Sequence, residues 1–446
     1  MAVIILGIAL SVLDASIMNL ALPGIARDLH ASPAQSVWVV NAYQLAILAL
    51  LLPCATLGDL IGYRRVYLAG IAVFTLASAA CLFAVSLPML AAARAVQGLG
   101  AAGVMAVNAA LVRLTYPSHR LGRALALNSV VVAIASVAGP SLAAAILSIA
   151  SWPWLFAMNL PIGLAVFALG WRALPHNPGA APAGVRLTAI DVLLNICMFG
   201  FLVLGADALG TRAGATPVPG AMAFGAALLA AGVAVGALYV HRQRALPIPL
   251  LPIDLLRIPV FALSMGTSIT AFAAQTLSNV ALPFLLLESY GFSPLRAGFL
   301  LTAWPLAIVL MAPVAGRLIG RYSGGLLGGV GLALLAIGLA LLAALPAQPQ
   351  AADIAWRLAL CGAGFGLFQS PNNHTIVTSA PLSRSGAAGG MLGAARLTGQ
   401  TTGAVLLSII FSAAGTGAGH GPTIALALAA GFAAVASGVS FLRLRV

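Results

Sequence analysis

Long runs of apolar residues recur from one end of this chain to the other, with short polar connections between them. A run of about 20 apolar residues is long enough to cross a bilayer as a helix. The pattern therefore predicts fourteen membrane-spanning helices and an all-α membrane fold. The predicted spans are 2–24, 35–57, 66–86, 89–112, 121–149, 153–173, 188–210, 219–240, 259–287, 294–319, 325–345, 352–378, 386–414 and 421–442.

Two connections are longer than the rest, and each contains three prolines. They lie at 172–187 and 241–258, where they are typical of linkers, and they bracket the seventh and eighth spans. We therefore predict one six-helix bundle over 1–173, linkers and two inserted helices over 174–258, and a second six-helix bundle over 259–446.

A weak internal repeat supports two related halves. Pro53 to Arg64 ends the second span much as Pro313 to Arg321 ends the tenth. Both segments leave the apolar run through a turn that carries glycine and arginine. No connection is long enough to hold a soluble domain.

The composition narrows the class further. Of the 446 residues, 62% are hydrophobic and 7% are charged, which excludes a soluble fold. The net charge of +13 arises from 21 basic residues, all of them arginine. In a soluble protein such a charge would favour nucleic-acid binding. Here the arginines lie mostly in short loops, where they indicate topology through the positive-inside rule.

The loop arginines are distributed unequally between the two sides of the membrane. With the N-terminus inside, the loops on that side and the C-terminal tail hold Arg64, Arg65, Arg113, Arg120, Arg123, Arg172, Arg186, Arg242, Arg244, Arg257, Arg317, Arg321, Arg384, Arg443 and Arg445. The opposite loops hold Arg27, Arg212, Arg296 and Arg357. We therefore expect both termini in the cytoplasm.

Cysteine, histidine and the start of the chain suggest no further chemistry. The four cysteines stand singly inside apolar runs, and the six histidines are scattered near membrane boundaries. Neither set has the spacing of metal ligands, so no metal site is expected. Met1 leads into an apolar run without a basic segment or a cleavage pattern, which predicts a first spanning helix instead of a signal peptide.

Arg94 places a guanidinium inside the apolar run 89–112. A central arginine costs roughly 2.5 to 3.5 kcal/mol on insertion scales, so such a residue usually faces a partner, a cavity or a functional path. At helical spacing Gln97 and Asn108 lie near its face. Gly98 begins a strip of small residues that lets another backbone approach closely.

Asp14 lies near the middle of the first span. Desolvation favours a neutral acid, whereas a nearby cation favours the ion. A carboxyl group held between these two influences suits proton exchange. The alternatives are a permanent structural ion pair and an anchor for the N-terminal helix.

Several stretches resemble the fourteen-helix drug:proton antiporter branch of the major facilitator superfamily in composition, order and spacing. They are Leu13–Pro23 (first-helix signature), Leu57–Arg65 (loop between helices 2 and 3), Arg94–Gly103 (helix 4 motif), and Gly139-Pro140 with Trp152–Gly163 (antiporter motif and start of helix 6). The resemblance continues through the inserted pair and through 369–373 and 384–386, and so covers nearly the whole chain.

The chain also departs from the pattern of this branch. In the loop motif Ala55 stands for the usual leading glycine and Leu60 for the usual arginine. After Gly139-Pro140, two alanines, Ala143 and Ala144, stand for glycines. These departures concern gating contacts and coupling, and not the fold.

The family fold implies where a substrate binds. Helices 1, 4, 7 and 10 of the family line a cavity between two halves, and here they correspond to spans 1, 4, 9 and 12. The resemblance implies that their polar residues line this cavity: Ser11, Gln97, Asn108, Ser268, Gln275, Asn279, Gln369, Asn372 and Asn373. The alternative is that they hydrogen-bond neighbouring helices, worth about 0.6 to 2 kcal/mol each.

The same resemblance places Asp14 and Arg94 on cavity-lining helices, as a proton-coupling pair. Counted from Pro23 and Pro88 at 1.5 Å per residue, their depths differ by about 5 Å. An extended arginine spans that distance. Farther along the chain, Arg396 repeats the pattern of an intramembrane arginine, and the sequence leaves its role open.

Two groups of residues are predicted to act in gating. Asp59, Gly62, Arg64 and Arg65 would latch neighbouring helix ends through ion-pair and dipole contacts. Positive-inside signalling alone would explain the arginines but not the aspartate. Gly139 and Pro140 would relax the fifth helix, although proline kinks also occur without any coupling role.

These features predict a transporter of the cell inner membrane that exports a small amphipathic drug or metabolite in exchange for protons. Without a phosphate-binding Gly-x-x-x-x-Gly-Lys motif, the proton gradient is the expected energy source, and no cofactor is expected. The expected partners are a small-molecule substrate, protons and the lipid bilayer, with a periplasmic adaptor left open and no nucleic acid. Because only Asp14 is a mid-membrane acid, a neutral or singly charged substrate is favoured over a dication.

Two rival functions remain at this point. One is a facilitator of the same fold that moves a metabolite without protons. The other is a membrane enzyme or sensor, for which the sequence offers neither a clustered catalytic set nor a soluble domain.

Overall fold

The protein is almost entirely helical. A computed structural model describes residues 2–115, 118–175, 187–213, 221–244, 253–346, 348–380, 385–414 and 420–444. Within these ranges no β-strand occurs, and the only pairing of that kind is an isolated bridge between Ile319 and Tyr322.

Fourteen long helices account for most of the described residues. They are α1 (Ala2–Asp28), α2 (Trp38–Ile61), α3 (Tyr63–Leu82), α4 (Leu87–Thr115), α5 (Ser118–Ile149), α6 (Asn159–Ala173), α7 (Ala189–Ala213), α8 (Ala221–Arg244), α9 (Pro259–Phe284), α10 (Pro294–Leu318), α11 (Gly324–Ala343), α12 (Ala351–Ser379), α13 (Ser385–Ala414) and α14 (His420–Leu442).

These helices have the length and composition of membrane spans. Among the described residues, thirteen segments are long and apolar enough to cross a bilayer, and α5 adds the shorter apolar stretch Val137–Ile149. The predicted all-α membrane fold is confirmed. Several helix ends differ from the predicted bounds by a few residues; α1, for example, continues through Pro23 to Asp28 although its span is predicted to end at 24.

Short helical segments join some of the long helices. Pro33–Ser36 precedes α2 and begins with a capping box, in which Ser32 and Gln35 each accept a hydrogen bond from the other's backbone N–H. This arrangement satisfies two N–H groups that a helix start leaves free. The other short segments are Pro153–Ala157, the 3₁₀ turn Ile253–Arg257 and the π turn Leu285–Ser289.

The chain divides into two compact units. The first comprises Met1–Ala208 and Gly220–Leu251, and the second comprises Leu209–Pro219 and Pro252–Val446. The inserted helices α7 and α8 therefore pack largely with α1–α6. The domain boundaries predicted from the linkers, by contrast, remain a prediction.

Two hydrogen bonds tie α7 to α2 within the first unit. Trp38 Nε1 donates to Asp207 Oδ2 at 3.1 Å, and Asn195 Nδ2 donates to the carbonyl oxygen of Ala49 at 2.6 Å. The first bond lies near the start of α2 and the second lies near its middle. Helix α7 is thus attached to the first bundle by polar contacts.

The two units repeat the same helix contacts. Leu20-Ala21-Leu22-Pro23 in α1 corresponds to Val280-Ala281-Leu282-Pro283 in α9, and in both helices the segment is buried and its proline lies inside the helix. A Cβ added at Gly98 or at Gly362 would lie 2.9 Å from the Cβ of an alanine on α2 or α10, respectively. These correspondences align the sequences of the two units, with Pro23 matching Pro283 and Gly98 matching Gly362.

Glycines bring two pairs of helices into backbone contact. A Cβ at Gly70 in α3 would lie 2.8 Å from the carbonyl oxygen of Gly100 in α4. In the second unit, a Cβ at Gly331 in α11 would lie 2.6 Å from the carbonyl oxygen of Gly364 in α12. Both distances are too short for a real Cβ, so both crossings depend on glycine.

Candidate functional site

A buried ion pair lies inside the first bundle and joins α1 to α4. Arg94 Nη1 is 2.6 Å from Asp14 Oδ2, and the two side chains are 1% and 0% exposed. The structure thus places in contact the two intramembrane charges that the depth argument pairs. A buried pair of this kind is stable only when further hydrogen bonds satisfy both groups.

Two amides complete the coordination of the Asp14 carboxylate. Gln97 Nε2 and Asn159 Nδ2 donate to Asp14 Oδ1 at 3.0 Å and 2.7 Å. Gln97 Oε1 also accepts from Arg94 Nη1 at 2.6 Å. All three contacts on Asp14 thus come from donor groups on α4 and α6.

Ser78 of α3 closes the network on its other side. Its Oγ accepts a hydrogen bond from Gln97 Nε2 at 2.8 Å. We refer to Asp14, Ser78, Arg94, Gln97 and Asn159 as the Asp14 cluster. The five side chains are all buried and come from α1, α3, α4 and α6.

The guanidinium of Arg94 is also held from α2. Its Nε donates to the carbonyl oxygen of Val39 at 3.1 Å, and its carbon atom lies 4.1 Å from the centroid of the Tyr43 ring. The ring of Phe156 lies farther away, at 5.8 Å. Arg94 therefore has contacts that do not depend on Asp14.

The predicted cavity residues of the first bundle are buried in this structure. Ser11 Oγ donates to the carbonyl oxygen of Gly7 at 3.2 Å, so its hydroxyl is satisfied within α1. Asn108 is 6% exposed, and its Oδ1 has no hydrogen-bond partner in the described part of the chain. Gln97 belongs to the Asp14 cluster. Their role in lining a cavity stays a prediction.

In the second bundle the structure brings two predicted cavity residues together. Asn372 Nδ2 donates to Ser268 Oγ at 2.8 Å, and Asn372 Oδ1 accepts from Arg443 Nη1 at 2.7 Å. The same Nη1 donates to Ser264 Oγ at 2.9 Å. Arg443, which the sequence assigns to a loop or tail, thus connects α9 and α12 to the end of α14.

Burial lowers the pKa of the Arg443 guanidinium to about 10. The group therefore stays charged at neutral pH. No carboxylate pairs with it among the residues described, so its charge is satisfied by hydroxyl and amide oxygens.

The remaining predicted cavity residues share a different environment. Each is half-buried, and none has a side-chain hydrogen bond to another described residue. They are Gln275, Asn279, Gln369 and Asn373. Side chains of this kind can still bind water or a ligand.

The predicted gating residues at the end of α2 lie around a turn. Gly62 has a φ of 101°, in the region that favours glycine, and it separates α2 from α3. Asp59 accepts a hydrogen bond from the Tyr63 hydroxyl at 2.5 Å. Arg64 donates to the carbonyl oxygen of Trp171 in α6, whereas Arg65 is exposed.

The second predicted gating group packs against α1. A Cβ at Gly139 would lie 2.6 Å from the Cβ of Ser16, so α5 and α1 approach closely at this point. Pro140 lies inside α5, and Ala143 and Ala144 are fully buried one turn farther on. The alanines that replace the usual glycines are therefore accommodated in the packed interface.

Arg396 of α13 differs from Arg94 in having no acidic partner among the residues that the structure describes. Its Nε is buried without a hydrogen-bond partner in the described ranges, and its guanidinium carbon lies 5.7 Å from the centroid of Phe272. The side chain as a whole is half-buried.

Sequence reasoning missed two members of the Asp14 cluster. Asn159 falls in the stretch that resembles the start of helix 6, and this resemblance was the one available signal. Ser78 lies in an apolar helix, and nothing in its sequence neighbourhood distinguishes it. No group of three or more histidine, cysteine or acidic side chains that could hold a metal ion is found among the described residues.

Comparison with known proteins agrees with this architecture. A model of the Major Facilitator Superfamily matches residues 4–274 and 263–446. The chain is 50% identical over 436 residues to an Escherichia coli K12 protein named "Uncharacterized transporter YebQ", covering 98% of this chain and 94% of that one. It is 32% identical over 410 residues to "Multidrug resistance protein Stp" of Mycobacterium tuberculosis, covering 92% and 74%.

A solved structure shows the same fold at low sequence identity. The crystal structure of a POT family transporter with a thioalcohol-conjugated peptide superposes with a TM-score of 0.76, at 14% identity, over 99% of this chain and 95% of that one. The family match extends over nearly the entire chain, and the relatives are transporters, not enzymes. This multi-pass membrane protein is a member of the major facilitator superfamily and resembles its multidrug efflux transporters.

Proposed function

We propose that this transporter exports a small amphipathic drug or metabolite from the cytoplasm in exchange for protons. In this proposal it lies in the cell inner membrane with both termini in the cytoplasm, as the arginine distribution favours. Relatives named for multidrug resistance and drug efflux support export. The observation that carries proton coupling is the buried ion pair between Asp14 and Arg94.

The fold alone does not require this ion pair. The alignment of the two units matches Asp14 with Ala274, since each lies nine residues before the matched proline. It matches Arg94 with Leu358, since each lies four residues before the matched glycine. Both counterparts are fully buried and apolar. Since the second bundle packs without charge at these positions, a purely structural role for the pair is disfavoured.

Proton binding changes the contacts of the Asp14 cluster in a defined way. A proton on Asp14 neutralises the carboxylate and weakens its hold on Arg94. Arg94 then keeps the carbonyl oxygen of Val39, Gln97 Oε1 and the Tyr43 ring as partners. The Oδ1 of Asn159, which has no partner in the described part of the chain, is an acceptor available to the new O–H.

This rearrangement gives protons and substrate opposite preferences. If the protonated and ionised clusters belong to different conformations, each ligand shifts the population toward the state it binds more tightly. Substrate binding then releases a proton, and proton binding releases substrate. The inward proton gradient thereby drives outward transport.

The other predicted residues have supporting roles in the proposal. Gln275, Asn279, Gln369 and Asn373 supply unpaired polar groups to the substrate. Asp59 and its neighbours stabilise one end state at the α2–α3 turn. Gly139 and Pro140 let α5 move against α1.

Transport in proteoliposomes tests the proposal against the facilitator rival. A susceptibility screen in an efflux-deficient host first identifies a substrate. The purified protein should then accumulate that substrate against its gradient when a pH gradient is imposed, and Asp14→Asn should abolish this uphill transport. Asp353→Asn, which changes a carboxylate near the start of α12, should retain it. Equal downhill transport with and without the pH gradient would instead indicate a facilitator.

A further inference from the structure

Arg396 is an intramembrane cation without a counter-charge among the described residues. The three ion pairs among the described residues do not include it. Its Nε is buried and has no hydrogen-bond acceptor there. By contrast, the guanidinium of Arg94 donates a hydrogen bond to a carboxylate, and that of Arg443 donates to two hydroxyl oxygens and an amide oxygen.

The position of Arg396 along α13 disfavours a phospholipid headgroup as its ordinary partner. The apolar span of α13 extends over Ala388–Ala414. At 1.5 Å per residue, Arg396 lies about 12 Å from one end of this span and about 27 Å from the other. A headgroup phosphate stays outside the hydrocarbon region, which favours an acceptor on a molecule that enters the protein.

The neighbours of Arg396 indicate the kind of molecule. Its guanidinium carbon lies 5.7 Å from the centroid of the Phe272 ring of α9, an apolar side chain that is 3% exposed. Gln400 lies one helical turn along α13, is half-buried, and has no side-chain hydrogen bond to the described residues. A planar cation and an amide without a partner among the described residues together match a carboxylate.

We infer that Arg396 binds the carboxylate of an amphipathic substrate. This inference rests on the proposed export function, because it names the chemical class of the exported compound. It agrees with the preference for a neutral or singly charged substrate over a dication. Binding of the anion supplies a negative charge beside Arg396.

Two probes of the same shape test the inference. Naphthalene-2-carboxylate and naphthalene-2-carboxamide differ in charge and little in size. Their binding to the protein in phosphatidylcholine nanodiscs is measured by equilibrium dialysis at neutral pH, with binding to empty nanodiscs subtracted. The wild type should bind the carboxylate at least about tenfold more tightly than the amide, a difference of about 1.4 kcal/mol.

The variants separate ligand binding from structure. Arg396→Gln should bring the two dissociation constants within about twofold of each other by weakening the carboxylate alone, and Arg396→Lys should keep part of the preference. The matched control is Arg357→Gln, which removes another arginine beside an aromatic ring and should keep the full preference.

Several results would overturn the inference. They are absence of protein-dependent carboxylate binding in the wild type, no preference over the amide, equal weakening of both probes by Arg396→Gln, and the same loss in the Arg357→Gln control. Loss of the preference in phosphatidylglycerol nanodiscs would assign Arg396 to a lipid phosphate instead. No proton gradient enters this assay, so an intact preference without proton-driven transport would refute the export mechanism and leave the anion site standing.

Discussion

The coupling energy between Asp14 and Arg94 follows from their burial. Asp14→Asn leaves Arg94 charged inside the bundle, and Arg94→Gln leaves Asp14 charged there. Removing one partner of a buried ion pair typically costs about 3 to 5 kcal/mol, because the other charge stays buried and unpaired. With exposures of 1% and 0%, solvent cannot compensate for the loss here.

The double variant should lose much less stability than the sum of the two single variants. It contains no buried charge at this position, and replacement of a whole buried pair is often nearly neutral. Contacts from Val39, Tyr43 and Asn159 still stabilise the charge that remains in each single variant. We therefore expect each single variant to lose about 3 kcal/mol of unfolding free energy, at the lower end of this range. The double variant should lose no more than about 3 kcal/mol, which gives a coupling energy of about 3 kcal/mol.

The assay is reversible unfolding in mixed micelles, with SDS as the denaturant and helix content as the signal. Asp353 and Arg357 provide the control pair, since they lie 3.4 Å apart at one helical turn and are partly exposed. Their cycle should give about 0.3 to 0.5 kcal/mol. Losses at Asp14 and Arg94 that add to within about 0.5 kcal/mol would show that the two groups are not coupled and would refute the reasoning.

Three further predictions concern the latch, the helix crossings and the topology. Asp59→Asn should slow transport while substrate affinity stays nearly intact, and a loss of affinity of about tenfold, or about 1.4 kcal/mol, would place Asp59 in the binding site instead. Gly331→Ala should destabilise the protein by about 1 to 3 kcal/mol in the same unfolding assay, because the new Cβ would lie 2.6 Å from a backbone oxygen of α12. Gly438→Ala, where no atom lies within 4 Å, should be neutral or stabilising, and equal losses would contradict the packing account. Reporter fusions at Val446 and within 211–218 should report a cytoplasmic and an external location, respectively, and a reversed result at either position would exclude the fourteen-span topology.

The course of the helices was largely predictable because bilayer thickness sets the length of an apolar run. The fourteen predicted spans correspond one to one with α1–α14. The exact ends were not predictable where a proline intervenes. The first span is predicted to end at 24, just after Pro23, yet α1 continues to Asp28, since neighbouring helices can satisfy the backbone groups that a proline frees.

The candidate site was predictable only where charge made a residue conspicuous. An isolated carboxylate and an isolated guanidinium at similar depth require partners, so the contact between Asp14 and Arg94 could be anticipated. Ser78 could not, because a serine in an apolar helix often bonds its own backbone. Arg443 was assigned to a loop or tail because sequence spacing does not reveal that Ser264 and Asn372 lie within its reach.

Proton release on substrate binding tests the central claim most directly. The solubilised wild-type protein is placed in weakly buffered solution with a pH indicator, and the first compound identified by the susceptibility screen is added. If Asp14 carries the exchanged proton, the wild type should release protons as the substrate binds, and Asp14→Asn should bind the substrate without releasing any. Equal proton release by the wild type and Asp14→Asn, or substrate binding by the wild type without proton release, would contradict the account.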